Sequence, residues 1–387
     1  MKNSIMVFAP YFTPSVNAGG PVKSISNILA NLSEQFSFLI FTRDRDMGEG
    51  CHFDANLKRN KWQIEQNARI YYVDGSAPSY YLISKEVRLA APEVIYLNSF
   101  FDYFYSIKLV ILAALGLVGG CRILIAPRGE LSIGALGLKK NKKRLYVLLS
   151  RLFRLYKKKN IYFHATDEIE VLDIQKNLDV SRNKIFISPN IPVMPKDYSA
   201  RESEPNLLKV IFLSRITPKK NLHFALNVLS KVSCEIHFDI YGPKEDKSYW
   251  YSCKEIINLM PSNVKVRYCG KVALEDVHNI FSKYDLFFFP TLGENYGHVI
   301  VESLLVGTQV LISDRTPWNE VKNMNLGYAL PLVEERFIEA LMFFSQQRSS
   351  DEDRKSRIKI ANSLVEQELS LEKTRKMFIN LVESKDV

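Results

Sequence analysis

The chain has 387 residues, of which 47% are hydrophobic and 24% charged, and its formal net charge is +10. That length exceeds one ordinary α/β core and suits two domains of under about 200 residues each, while the composition excludes a disordered or collagen-like chain. The five cysteines, Cys51, Cys121, Cys234, Cys253 and Cys269, are odd in number and form no C-x-x-C pair, so neither a disulfide framework nor a structural zinc site is expected and a reducing cytoplasm fits best.

The first predicted strand covers residues 5–9 and ends at Pro10, which does not read as the core and cleavage site of a signal peptide. A long loop then closes on Gly19-Gly20-Pro21 at the start of a helix over 22–32. Backbone amides at such a place can meet phosphate or sugar, and an ordinary Gly-Gly-Pro turn accounts for the residues as well. The loop is not G-x-G-x-x-G, and G-x-x-x-x-G-K-[ST] does not occur, which disfavours a nicotinamide dinucleotide site and a phosphate loop. After the next strand, 36–42, Asp44-Arg45-Asp46 imitates a D-x-D metal motif; a polar loop is the favoured reading, because so short a motif arises easily by chance.

Strands over 70–73, 94–97, 123–126, 161–164 and 184–187 follow, with helical patterns between most of them. This alternation predicts a parallel sheet covered on both faces. The longest apolar run, 109–118, falls short of the about 20 residues that a bilayer span needs and reads as a buried helix. Asp167, Glu168 and Glu170 stand where acids suit the first turn of a helix.

Charge is uneven along the chain. Segment 139–159 holds ten Lys or Arg residues and no Asp or Glu, as many positive charges as the whole-chain excess. Leu145, Leu148, Leu149, Leu152 and Tyr156 recur there at helical spacing. A basic amphipathic helix that docks on an anionic membrane is expected, against the alternative that its apolar stripe packs on the first domain's sheet.

Residues 191–206 contain Pro192, Pro195 and Pro205 among polar and charged residues and read as a linker. The expected organisation is therefore a first domain over 1–190, the linker, and a second domain over 207–387. In the second half, strands are predicted over 208–213, 235–241, 264–269, 286–289 and 309–312, with helices over 221–232, 274–283 and 299–306 and a helical tail from 334 onward. Two successive doubly wound units bind ligands outside the carboxyl ends of their strands.

Two motifs in the second half sit at such ends. Gly293-Glu294-Asn295-Tyr296-Gly297-His298-Val299 follows the strand over 286–289 and leads into a helix that carries Glu302. Gly297 allows close backbone approach, and the amides of His298 and Val299 at a helix start suit a diphosphate; a plain helix cap with one exposed glutamate is the alternative. After the strand over 208–213, Arg215 and Lys220 share one loop, where a guanidinium fork and a point charge can neutralise a diphosphate. A solvated basic turn is the alternative there.

Together these motifs resemble the family-4 retaining glycosyltransferases of the GT-B fold, over nearly the full length. Glu294 and Glu302 match that family's E-x7-E pattern, Arg215 and Lys220 its R-x4-K clamp, and Gly19-Gly20 its N-terminal glycine loop. The stretch Ala126-Pro127-Arg128-Gly129-Glu130-Leu131-Ser132 and the strand end Phe163-His164-Ala165-Thr166 look like segments of a bacterial polysaccharide-building branch. Many relatives have Gly at the positions of Ser214 and Asn221, and many carry His where Arg128 stands.

The resemblance implies an α/β fold of two facing Rossmann-like domains with an interdomain cleft. It implies metal-independent transfer of a sugar from a nucleoside diphosphate, uridine slightly favoured, to a hydroxyl acceptor with retention. Arg215 and Lys220 would stabilise the leaving diphosphate, Glu294 would bind the sugar and Glu302 the ribose. Lys271 and Val272 would contact the base, or form a plain turn, and Gly19, Gly20, Arg128 and His164 would shape the acceptor side; for His164 a satisfied strand-end role is as good a reading. No cofactor besides the nucleotide-sugar co-substrate is expected. The implied partners are a polyprenyl-diphosphate-linked acceptor and the inner face of the cell membrane, with no nucleic acid. Two other classes remain: a sugar-nucleotide epimerase, for which no acid/base pair is evident, and a nucleic-acid-binding protein using the basic segment, where Tyr146, Phe153 and Tyr156 fit an amphipathic helix at least as well.

Overall fold

The computed structural model describes residues 2–383 except 49, 51, 54–56, 66, 76, 138–139, 196–206, 348 and 366. Most of the expected linker thus lies outside the described residues, as do Cys51 and Lys139; Cys121, Cys234, Cys253 and Cys269 are free thiols. The chain divides into two compact units, residues 1–191 with 368–387, and residues 192–367.

The strands of the first unit are β1 (Asn3–Phe8), β2 (Phe36–Arg43), β3 (Trp62–Glu65), β4 (Ala68–Val73), β5 (Val94–Leu97), β6 (Arg122–Ile125), β7 (Ile161–Ala165) and β8 (Ile185–Ile187). They form one sheet in the order β3-β4-β2-β1-β5-β6-β7-β8. Every pairing is parallel except that of β3 with β4. The central strands are continuous apolar runs because both faces are covered, as the buried IMVF of β1 and VIYL of β5 show. Helices α1 (Gly20–Leu32), α2 (Tyr80–Ala90), α3 (Lys108–Ala114), α4 (Ile133–Gly137), α5 (Lys140–Leu152) and α6 (Glu168–Leu178) lie between strands. Side-chain caps start two of them: Ser79 accepts from the Leu82 amide at 3.0 Å and Asp167 from the Glu170 amide at 2.7 Å.

The second unit has β9 (Leu208–Leu213), β10 (Ile236–Tyr241), β11 (Val264–Gly270), β12 (Leu286–Phe289), β13 (Gln309–Ser313) and β14 (Gly327–Leu330) in an all-parallel sheet ordered β11-β10-β9-β12-β13-β14. Its helices are α7 (Leu222–Leu229), α8 (Lys247–Asn258), α9 (Val277–Phe281), α10 (His298–Leu305), α11 (Glu334–Gln346) and α12 (Asp351–Val365). Helix α8 packs Trp250 against Tyr268 of β11, and α9 packs Phe281 against Phe287 of β12 on the opposite face.

One boundary differs from the sequence reading. The tail does not stay with the second half: α13 (Gln367–Glu383) covers the sheet of the first unit. Phe378, fully buried, meets Phe36, Phe38 and Tyr96 at centroid distances of 5.7, 6.3 and 5.9 Å. Arg122 donates to the Leu381 carbonyl at 2.5 Å, and the Ser188 and Thr374 hydroxyls lie 2.6 Å apart. Burying one phenylalanine contributes about 1.5–3 kcal/mol, which helical periodicity alone cannot assign to one core or the other.

The basic segment also differs in part. Its helix ends at Leu152, and Arg154 in the left-handed region turns the chain so that Tyr156 is buried and takes the Tyr146 hydroxyl at 2.5 Å. Tyr156 therefore leaves the expected stripe. The rest of the stripe does not pack on the sheet: Leu145, Leu148, Leu149 and Leu152 are 56, 63, 40 and 71% exposed, and Phe153 joins them at 67%. Among the described residues no helix is long and apolar enough to cross a membrane.

Candidate functional site

In the second sheet the strand order reverses between β9 and β12, two neighbours whose crossovers run in opposite directions. Loops leaving such neighbours part and leave room for a ligand at their carboxyl ends. Both second-half motifs are there. The loop after β9 carries Arg215 and Lys220; the loop after β12 carries Glu294 and leads into α10.

The two loops are tied together by backbone and side chain. The Leu292 amide donates to the Lys219 carbonyl at 2.8 Å, and the Asn221 side-chain amide to the Pro290 carbonyl at 3.0 Å. Asn221 takes the left-handed conformation as it enters α7, a position that asparagine tolerates better than most residues. Lys220 Nζ lies 2.5 Å from Glu294 Oε1, both side chains nearly buried, and Thr291 Oγ1 donates to the same oxygen at 3.0 Å. Burial pushes the Lys220 ammonium below the usual lysine range; Glu294 opposes that shift, and Arg215 and Lys219 add to it. Arg215 stands nearby and half-exposed, its Nη1 2.9 Å from Glu245 Oε2.

Gly297 precedes α10 with φ 77°, and a Cβ there would come within 2.9 Å of the Ile300 side chain. The turn before it is fixed by Trp318, whose indole N–H donates to the Tyr296 carbonyl at 2.5 Å. The amides of His298 and Val299 open this helix, where the backbone dipole favours an anion. Glu302 is buried one turn further on, close enough to Tyr296 for its charge to help burial raise that phenol. Lys271 and Val272 follow Gly270 at the end of β11, on the far side of β10 from the clamp.

Two residues of this site carry no sequence signal that marks them. Glu245 is known as Arg215's partner only from the fold. Gly242 is required because a Cβ there would lie 1.9 Å from the Ser214 carbonyl oxygen, so the loops after β9 and β10 can approach only over a glycine.

In the first unit, Gly19 has φ 61° and stands at the N-terminus of α1, with Gly20 as its first residue. The loop before it is held by Asp46, whose carboxylate accepts from the amides of Val16 (2.9 Å), Asn17 (3.1 Å) and Met47 (2.7 Å) and from the Ser15 hydroxyl. Tyr72 secures the same loop through the Thr13 carbonyl at 2.8 Å. Asp46 thus organises a loop, and its neighbour Asp44 is turned elsewhere, buried against Arg59 Nε at 2.8 Å, Arg45 Nε at 3.4 Å and His52. Asp44, His52 and Asp74 could by spacing surround a cation. Two guanidiniums already on Asp44 make that set a poor fit, since they would repel the ion.

Arg128 adopts the left-handed region, φ 54°, and spreads its guanidinium over Asn98 Oδ1 (3.0 Å), Asn190 Oδ1 (2.6 Å) and the Tyr96 hydroxyl (2.6 Å). Glu170 fixes the turn beside it by accepting from the Gly129 amide at 2.6 Å and from Thr166. Sequence patterning had given Glu170 only a helix-opening role. His164 is buried, with Nδ1 2.9 Å from the Tyr96 hydroxyl and Nε2 2.8 Å from the Ser188 carbonyl. A carbonyl can only accept, so Nε2 carries the proton and Tyr96 donates to Nδ1. Burial and then the Arg128 charge push the His164 pKa down to about 3, so the ring is neutral. With both nitrogens engaged, His164 supports Tyr96 and, through it, Arg128.

Residues 196–362, most of the second unit, match the family described as glycosyl transferases group 1. No curated protein matches the chain. Among solved structures the chain is similar to Anabaena HepE in complex with UDP-glucose, with 14% identity, TM-score 0.71, and 98% of this chain and 99% of that one covered. It is similar to the sucrose-phosphate synthase of Thermosynechococcus elongatus, with 12% identity, TM-score 0.73 and 98% and 99% covered. It is also similar to WaaG, a glycosyltransferase involved in lipopolysaccharide biosynthesis, with 12% identity, TM-score 0.67 and 98% and 100% covered. These likenesses identify the fold as that of the GT-B glycosyltransferases.

Proposed function

We propose that this chain is a metal-independent, retaining glycosyltransferase of family 4 that uses a nucleoside-diphosphate sugar, UDP slightly favoured, in bacterial surface polysaccharide or lipid-linked oligosaccharide synthesis. The observation that carries the reading is the pair of tied loops at the carboxyl ends of β9 and β12, with Arg215, Lys220, Glu294 and the start of α10 brought together in a group 1 domain. The UDP-glucose bound by Anabaena HepE supports the choice of donor class.

Charge develops on the diphosphate as the glycosidic bond breaks. Arg215, Lys220 and the amides of His298 and Val299 meet that charge in a site that is already organised, so little reorganisation is required at the moment of reaction. Lys220 then exchanges a carboxylate oxygen of Glu294 for a phosphate oxygen, which leaves Glu294 to accept from a sugar hydroxyl. Glu302 serves the ribose, Lys271 and Val272 the base, and the leaving phosphate takes the acceptor's proton. In the first unit Gly19, Gly20 and Arg128 serve the acceptor, a polyprenyl-diphosphate-linked glycan.

Such an acceptor lies at the inner face of the cell membrane, and α5 suits that surface. Its exposed leucines and Phe153 form an apolar face, and exposed Lys142, Arg144, Arg151, Arg154 and Lys158 surround it. Each Lys or Arg near an anionic bilayer contributes about 1 kcal/mol.

Calorimetry with UDP, GDP and ADP tests the donor site, and binding of none of them rejects the proposal. Proton NMR of the product's anomeric signal tests retention, and transfer that EDTA abolishes and manganese restores would reject metal independence. Sedimentation with anionic vesicles tests docking: Leu148→Ser/Leu152→Ser should release the protein, and unchanged binding would reject α5 as the anchor.

A further inference from the structure

The face of the second sheet opposite α8 is incompletely covered, and the topology explains why. The crossovers β9–α7–β10 and β10–α8–β11 put their helices on one side, where Trp250 of α8 packs on Tyr268. The return from β11 to β12 must pass over β10 and β9 on the other side, yet its helix α9 is only five residues long and packs at β12. Parallel sheets are normally buried on both faces. Here the β10–β11 end is left with a cavity of about 550 Å³, within the about 300–1,000 Å³ typical of small-ligand sites.

The lining of that cavity is chemically specific. Side chains alternate along a strand, so His237 and Asp239 of β10 and Lys265 and Arg267 of β11 share this face, with Lys209 of β9 and Lys283 and Tyr284 from the end of the α9 segment. Among the described residues Asp239 is the one carboxylate in the lining, and it is buried and engaged. It takes the Arg267 fork at 3.0 and 2.6 Å and the Tyr284 hydroxyl at 2.6 Å. The buried acid therefore aims a guanidinium at the cavity without cancelling the three lysines around it. Cations from three separate segments, β9, β11 and the stretch after α9, converge on one concavity, an arrangement whose mutual repulsion an anion would relieve.

We propose that this cavity binds a phosphate-bearing small molecule, with Arg267, Lys265 and Lys283 as its anion contacts. The site shares no lining residue with the Arg215–Lys220–Glu294 cluster, so it is a second anion site on the same unit. With Nε and one Nη2 proton on Asp239, Arg267 offers the protons at the far end of its guanidinium and the lysines offer point charges, a combination that suits phosphate oxygens.

The experiment is calorimetric titration of the full chain with inorganic pyrophosphate, for wild type, Lys265→Ser/Lys283→Ser and Lys220→Ala. Lys265 and Lys283 are exposed, so the double variant should fold, as circular dichroism would verify, and should keep UDP binding. The expected result is a pyrophosphate event that weakens about tenfold or more in the double variant, through loss of charge-assisted contacts, and that persists in Lys220→Ala. Identical isotherms for wild type and the double variant would overturn the proposal. So would phosphatidic acid vesicles that bind through Lys265 and Lys283 while pyrophosphate does not, since the phosphate source would then be a lipid surface. Failure of UDP to bind wild type would count against the donor reading alone.

Discussion

Lys220 offers a perturbation whose structural and chemical effects can be separated. Its ammonium is nearly buried and 2.5 Å from Glu294, whose other hydrogen bond from a neighbouring side chain comes from Thr291. In Lys220→Ala the Glu294 carboxylate keeps its charge and loses its counter-ion. Breaking a fully buried pair costs about 3–5 kcal/mol; both partners retain some exposure, so about 2–3 kcal/mol is expected. For a unit of this size each kcal/mol lowers the Tm by roughly 2–4 °C, which gives a fall of roughly 4–12 °C. If Lys220 also meets the developing charge of the diphosphate, its loss should cost a further roughly 2.7–4 kcal/mol in the transition state, about a hundredfold or more in kcat. Adding Glu294→Gln to Lys220→Ala removes the stranded charge, so the double variant should recover most of the Tm while transfer stays low. Differential scanning fluorimetry and steady-state transfer from a UDP-sugar measure the two quantities side by side. Near-normal transfer by folded Lys220→Ala would refute the electrostatic role. A double variant as unstable as the single one would refute the ion-pair account.

Three further outcomes are expected. Gly242→Ala should destabilise severely, by more than about 3 kcal/mol, because its Cβ would sit 1.9 Å from the Ser214 oxygen, whereas Gly270→Ala, with φ 88° and open space around it, should cost only about 1–2 kcal/mol; urea denaturation ranks the two. Asp46→Ala should lower stability by roughly 2–3 kcal/mol, since it leaves three amides and a hydroxyl without their acceptor, and a Tm that EDTA shifts in wild type but not in the variant would instead point to a metal at Asp46. His164 has a folded pKa of about 3 against an ordinary value near 6.5; between these the unfolded chain binds the extra proton, so stability falls as pH drops from 6.5 towards 3, by up to about 1.4 kcal/mol per pH unit. His164→Gln should flatten that slope relative to wild type, and parallel pH–stability curves for the two proteins would contradict the buried, neutral assignment.

The strands that sequence patterning identified best are those buried on both faces. The boundaries of β5, β9 and β12 coincide with their apolar runs, because a run of VIYL or LFFF has nowhere to go but a covered sheet. β3 was missed because WQIE at the sheet edge is half-exposed and mixes polar with apolar residues. β14, read as GYAL, gave too short a run to register. The placement of α13 was illegible for a different reason: an amphipathic helix states that it has a partner and not which one, and Phe378 finds its partners more than 300 positions back in Phe36 and Phe38.

Acidic residues show where a linear reading loses the site. The chain is strongly basic, and several of its carboxylates are spent inside the units as acceptors for strand-end amides. Asp46 holds residues 15–17 ahead of Gly19. Glu130 accepts from the amides of Phe100 and Phe101 at 2.7 and 2.8 Å, beyond the end of β5, and Glu170 holds the turn that carries Arg128. In the second unit Asp285 accepts from the Lys209 amide at 2.8 Å. Each acid is 29 to 76 positions from the segment it fixes, or reaches it across a loop whose course only the fold supplies. The cationic groups could be found in sequence because they share a loop, Arg215 with Lys220. Their anchors could not, because a carboxylate that accepts from distant backbone leaves no local pattern. Binding groups must be held rigidly before a ligand arrives, so that their orientation is not paid for during reaction. For the proposed groups of the first unit, Gly19 and Arg128, the holding residues are Asp46 and Glu170, which the order of the strands brings into place.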